Sequence, residues 1–126
     1  MARIITIMAT AASVLAGACA SADPAPGSRA FSLDETVRAA RTDAARRTGL
    51  APEAIELVSA ERVIWPDGSL GCPKPGMAYQ QALVPGYRIR LHGAGGMLDY
   101  HAGMRGSPVL CPPGRSMDPV PDAGRI

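Results

Sequence analysis

The sequence predicts an α+β fold, with one N-terminal helix packed on a small antiparallel sheet of three to four strands and a disulfide between Cys72 and Cys111. Three observations predict it. A capped helical pattern begins at Leu33, alternating strand patterns run from Ile55 to Trp65 and from Tyr87 to Ala102, and the two cysteines flank the second of these.

Ser32-Leu33-Asp34-Glu35 matches the capping box, in which the Ser hydroxyl and the Glu carboxylate each accept a backbone N–H that the helix leaves unpaired. Leu33, Val37, Ala40 and Ala44 then recur at helical spacing, with Arg38, Arg41, Asp43 and Arg46 on the remaining turns. Gly49 provides the stop at Thr48, and Arg46 and Arg47 favour the negative helix end. The Arg-rich side also carries Asp34, Glu35 and Asp43, which reads as a solvated face rather than a lipid-binding one.

Ala51-Pro52-Glu53 is a turn. Ile55 to Trp65 alternates β-branched and polar residues as strands do, but the parity slips across Ser59 and Ala60, which predicts a bulge there. Pro66 to Pro85 reads as loop, with Ala78 to Val84 partly extended, and Pro85-Gly86 breaks the chain before the next strand. Tyr87, Ile89 and Leu91 alternate with Arg88, Arg90 and His92. Gly93-Ala94-Gly95-Gly96 turns the chain into Met97 to Ala102, giving a hairpin. Val109-Leu110-Cys111 adds a short closing strand, and the Pro- and Gly-containing tail 112–126 is expected to be disordered.

Ahead of the helix, Arg3 and fifteen uncharged residues from Ile4 to Ala18 form the pattern of a signal peptide over 1–22. The run is too short for a bilayer span, which takes roughly twenty apolar residues. Leu15-Ala16-Gly17-Ala18-Cys19 resembles the lipobox of bacterial lipoproteins, with Leu15 one place further upstream than usual. It makes Cys19 a lipidation candidate, and cleavage before it would leave the protein membrane-anchored through its acyl chains. Ala20-Ser21-Ala22 offers an ordinary cleavage site instead, giving a periplasmic or secreted protein. Residues 23–31 would be the linker and 32–111 the single domain. Thirteen basic residues, twelve of them Arg, are spread against eleven acidic ones, which does not describe a nucleic-acid surface.

Once the leader is removed, Cys72 and Cys111 are the remaining pair, and export brings them into an oxidising compartment. Closing a loop of about forty residues would stabilise the domain by roughly 4 kcal/mol in the chain-entropy model. The alternatives have less behind them. A Cys nucleophile with His92 or His101 as base and Asp99 as orienter lacks a nucleophile signature, so no catalytic residue is assigned. Cys72, His92, His101 and Cys111 lack the short paired spacing of zinc modules, and the methionines are scattered, so no metal or other cofactor is expected.

Trp65, Asp67, Tyr79 and Gln81 mark a Pro- and Gly-stiffened loop as the candidate recognition surface, because pre-organisation lowers the entropy lost on binding. The structural alternative is that Trp65 covers the disulfide while Asp67 closes the loop. The expected partner is an envelope protein or a cell-wall ligand. Other readings are a peptidase-inhibitor-like loop and a cysteine-dependent enzyme.

The stretch Trp65-Pro66-Asp67-Gly68-Ser69-Leu70-Gly71-Cys72-Pro73, with Pro75-Gly76-Met77, Tyr79, Gln81, Pro85-Gly86-Tyr87-Arg88-Ile89 and Tyr100-His101, resembles a family of small secreted bacterial proteins and lipoproteins without an assigned activity. The resemblance covers Glu53 to Cys111. It implies export and a single folded unit, and it brings no catalytic residue or ligand with it.

Overall fold

The computed structural model describes residues 29–121, together with Gly17. The expected signal peptide with Cys19, the first part of the linker and the last five residues lie outside the described residues.

Helix α1 spans Leu33–Thr48. Its capping box is formed, with Glu35 N–H donating to Ser32 Oγ at 3.2 Å and Ser32 N–H donating to Glu35 Oε2 at 2.8 Å. Gly49 ends the helix at φ 72°, and its N–H reaches the Ala45 carbonyl at 2.9 Å. The residues that α1 buries are small: Thr36, Ala40 and Ala44. Short side chains let the helix backbone lie close to the sheet, while Tyr87, Ile89, Leu91 and Tyr100 supply most of the apolar area from the sheet side.

Four antiparallel strands form the sheet in the order β1-β2-β3-β4, with β1 at Glu56–Trp65, β2 at Val84–Gly93, β3 at Gly96–Gly103 and β4 at Val109–Cys111. A 3₁₀ turn at Pro52–Ala54 leads from the helix into β1. Leu91 faces Leu57 and Leu98, and Ile89 faces Ala60 and Tyr100, so these residues share the helix-covered side. The bulge in β1 falls between Leu57 and Ser59, slightly earlier than the sequence pattern suggests. One extra residue there inverts the alternation, which turns Val63 and Trp65 to the opposite face.

Three expectations are corrected. Strand β2 begins at Val84, ahead of the Pro85-Gly86 pair read as a break. Pro85 is tolerated because it pairs with Ile64 of β1 alone, whereas β3 starts its pairing one residue later, at Gly86. The last linker residues belong to the fold: Phe31 N–H donates to the Met104 carbonyl at 2.7 Å, and Tyr87 Oη donates to the Phe31 carbonyl at 2.8 Å. The tail expected to be disordered from residue 112 is held against the second sheet face as far as residue 120. Met117 N–H donates to the Gly71 carbonyl and Val120 N–H to the Ile64 carbonyl, both at 2.8 Å.

Candidate functional site

Of the residues that the sequence singled out, Trp65 packs on the second sheet face, while Asp67, Tyr79 and Gln81 lie in the loop between β1 and β2. Trp65 is fully buried. Its indole N–H donates to the Ala102 carbonyl at 3.0 Å, and its ring stacks on His101 with centroids 4.4 Å apart and planes 21° apart. The indole reaches β3 by crossing β2 at Gly86, where a Cβ would lie 3.0 Å from Nε1. Gly71 lies against the six-membered ring, since a Cβ there would meet Trp65 Cζ3 at 2.5 Å. Trp65 therefore fastens the loop to the sheet and is removed from the surface expected to contact a partner.

Cys72 and Cys111 are joined in a disulfide, with Cα atoms 5.8 Å apart. Each sulfur is consumed in that bond, which rules out a cysteine nucleophile or thiolate ligand in this form. Asp67 accepts from both the N–H and the hydroxyl of Ser69. Those bonds hold its carboxyl below the usual range and close the loop locally. A further closure is Gly68 N–H donating to the Gln80 carbonyl at 2.9 Å. Tyr79 Oη accepts from Lys74 N–H at 2.9 Å, and Gln81 Nε2 donates to the Tyr79 carbonyl at 3.2 Å. The tip between Lys74 and Leu83 is thus hydrogen-bonded internally, yet it exposes Met77 at 59% and Leu83 at 66%.

Beside Trp65 is a polar cluster that sequence reasoning did not assemble. Arg88, only 7% exposed, grips Asp99 with two bonds of 3.1 and 2.9 Å. It also donates to Asp118 at 2.8 Å and to Ser116 Oγ at 3.2 Å. Ser116 Oγ donates to Asp99 Oδ2 at 2.6 Å. Burial alone would push the Asp99 carboxyl up, but its hydrogen-bonding partners, Arg88 and Ser116 among them, outweigh it and hold the group far below the usual range. The alternation of β2 and β3 already placed Arg88, Asp99 and His101 on one face. Ser116 and Asp118 carried no sequence signal.

Ser116, His101 and Asp99 have the residue types of an acyl-transfer triad, but their geometry is different. A relay needs the carboxylate on one imidazole nitrogen and the hydroxyl on the other. Here Nε2 faces both Asp99 Oδ2 at 3.1 Å and Ser116 Oγ at 3.3 Å, while Nδ1 lies 2.6 Å from the Leu70 carbonyl. A carbonyl can only accept, so Nδ1 donates there, and the Ser116 proton is directed at Asp99. This cluster positions a chain segment rather than activating a nucleophile.

Elsewhere, a cavity of about 570 Å³ is lined by Arg29, Phe31, Glu35, Arg62, Tyr87 and Met104. Its Arg29 and Glu35 pair with each other at 2.7 Å, and the Arg29 guanidinium with the Ser32 N–H brings the Glu35 carboxyl down to about 2. Among the described residues there is no group of three or more His, Cys, Asp or Glu able to hold a metal ion. No described helix is long and apolar enough to cross a membrane.

No curated protein and no solved structure matches this chain. A family model described as a domain of unknown function matches residues 37–111, from the second turn of α1 to the disulfide cysteine of β4. The chain therefore belongs to the domain-of-unknown-function family DUF8738.

Proposed function

We propose that this protein is an exported, lipid-anchored interaction module of the bacterial envelope, and that the loop tip from Lys74 to Leu83 makes the contact. The observation that carries the reading is the Cys72–Cys111 disulfide, which fastens the base of a loop whose tip exposes Met77 and Leu83. Disulfides persist in oxidising compartments, and the leader pattern around Cys19 agrees with export. A braced loop loses little entropy when a partner docks, and exposed Met adapts its shape to the surface it meets. The resemblance to small secreted proteins and lipoproteins points the same way.

Two measurements test it. Intact mass of the protein recovered from cells should show a chain starting at a diacylated Cys19; a chain starting at Asp23 without lipid refutes the anchor. Photo-crosslinking from position 78 or 82, both exposed beside Met77 and Leu83, in envelope fractions should yield a discrete partner or cell-wall adduct that Met77→Ser with Leu83→Ser abolishes. Identical adducts from the double variant would sink the assignment to the tip. The peptidase-inhibitor form of this reading rests on the internal bonds at Lys74, Tyr79 and Gln81, which would hold the tip in place after a cut. It requires that the intact protein slow an envelope peptidase and that its reduced form does not.

A further inference from the structure

We propose that the trough bounded by the Ile64 edge of β1, Gly71 and the Arg88 guanidinium is a binding site for an extended peptide bearing a carboxylate side chain, and that residues 116–120 occupy it in cis. The inference is independent of the loop-tip reading.

The bound segment makes the contacts of a peptide ligand. Its main chain donates twice, from Met117 to the Gly71 carbonyl and from Val120 to the Ile64 carbonyl. The second of these bonds is made to the edge strand β1, the kind of main-chain contact that strand-addition complexes use. Its side chains supply two anchors, the Ser116 hydroxyl on Asp99 and the Asp118 carboxylate on Arg88.

The receptor groups are rigid and the occupant is not deeply held. Arg88 and Asp99 keep 9% and 16% of their side-chain surface exposed and are locked together, whereas the Asp118 side chain is 86% exposed and Met117 54%. Residues 112–121 form no helix or strand. A segment held by few buried contacts opens at the low-cost end of local unfolding. When it lifts, Arg88 retains its two bonds to Asp99 but loses the acceptor on its other terminal nitrogen. An ionised donor left without that acceptor is met well by another carboxylate. The Gly71 and Ile64 carbonyls then stand ready for an extended backbone, which fixes the chemistry of the partner: a strand-like peptide with Asp or Glu placed to reach Arg88. The family match contains Ile64, Gly71, Arg88, Asp99 and His101 and ends before the occupying segment begins. The receptor groups therefore lie inside the family match and the occupant outside it.

The test uses the oxidised full-length mature chain and a fluorescein-labelled peptide, Arg-Ser-Met-Asp-Pro-Val, read by anisotropy and by the Trp65 indole N–H resonance. Weakening the cis occupant with Asp118→Asn should tighten the apparent peptide Kd by about three- to tenfold, because more of the chain is in the open form. Asn in place of Asp within the peptide should weaken binding to either chain by a similar factor. Absence of binding at millimolar peptide, or equal affinity for the Asp and Asn peptides, would overturn the proposal. The peptide pair discriminates on the unsubstituted chain even if Asp118→Asn perturbs the fold. A dimer in sedimentation that excess peptide dissociates would assign the trough to a second copy, and would overturn its occupation in cis.

Discussion

Replacing Gly71 with Ala tests whether the loop is packed on a buried Trp65. Two costs add at this position. The backbone has φ 67°, a left-handed conformation that costs an L-residue roughly 1–2 kcal/mol. The new Cβ would also lie 2.5 Å from Trp65 Cζ3 and 2.8 Å from the Met117 carbonyl oxygen, so the ring and the 116–120 segment must both move. Overpacking of this kind costs about 1–3 kcal/mol, which brings the expected total to about 2–5 kcal/mol. Gly76 is the internal control, because its φ is 76° but a Cβ there meets nothing within 4 Å. Gly76→Ala should therefore lose only the backbone part, roughly 1–2 kcal/mol. Urea unfolding followed by Trp65 emission measures both variants under oxidising conditions. Each kcal/mol also corresponds to about 4–8 °C in Tm for a domain of this size. Equal destabilisation by the two substitutions would refute the packing of Gly71 on Trp65.

Three other outcomes are expected. Cys72→Ser with Cys111→Ser opens a loop of sequence separation 39 and should lower stability by about 3–4 kcal/mol; urea midpoints unchanged by reductant would contradict the brace. The Asp99 carboxyl is held below its unfolded value, so its contribution is fully present above that value, near 4, and is lost as pH falls through the folded one. Asp99→Asn should thus flatten the acid limb of a stability–pH curve while lowering the plateau at neutral pH, and parallel acid limbs would speak against the network. Ala94 occupies the β2–β3 turn at φ 50°, followed by Gly95 at φ 77°. Ala94→Asn creates the residue pair this turn prefers and should raise stability by about 0.5–1 kcal/mol, read as a higher Tm; a lower Tm would mean that the turn geometry is wrong.

The elements legible in the sequence were those whose signals are local. Ser32, Glu35 and Gly49 define α1 because caps act within one turn, and the β2–β3 hairpin follows from alternation on either side of a glycine-rich turn. Pro85-Gly86 misled because a proline is a break only where its missing N–H is needed, and that depends on where β3 ends. The sequence leaves Trp65 open between a recognition loop and a cover over the disulfide, because its partners, His101 and the Ala102 carbonyl, come from β3 and meet it only through the strand register. The inversion after the β1 bulge decides which face Trp65 takes. Ser116 and Asp118 lie among prolines and glycines in a stretch without periodicity, where composition suggests disorder. Their order comes from Arg88, whose need for acceptors appears only once the sheet has buried it.

The burial of Trp65 beneath the loop is tested most directly by using this single tryptophan of the chain as a probe. Acrylamide quenching of the oxidised protein should find Trp65 blue-shifted and poorly accessible, and becoming accessible on urea unfolding. Red-shifted emission with free quenching in the native protein would put Trp65 on the surface, and would contradict the loop and the 116–120 segment being fastened over the second sheet face.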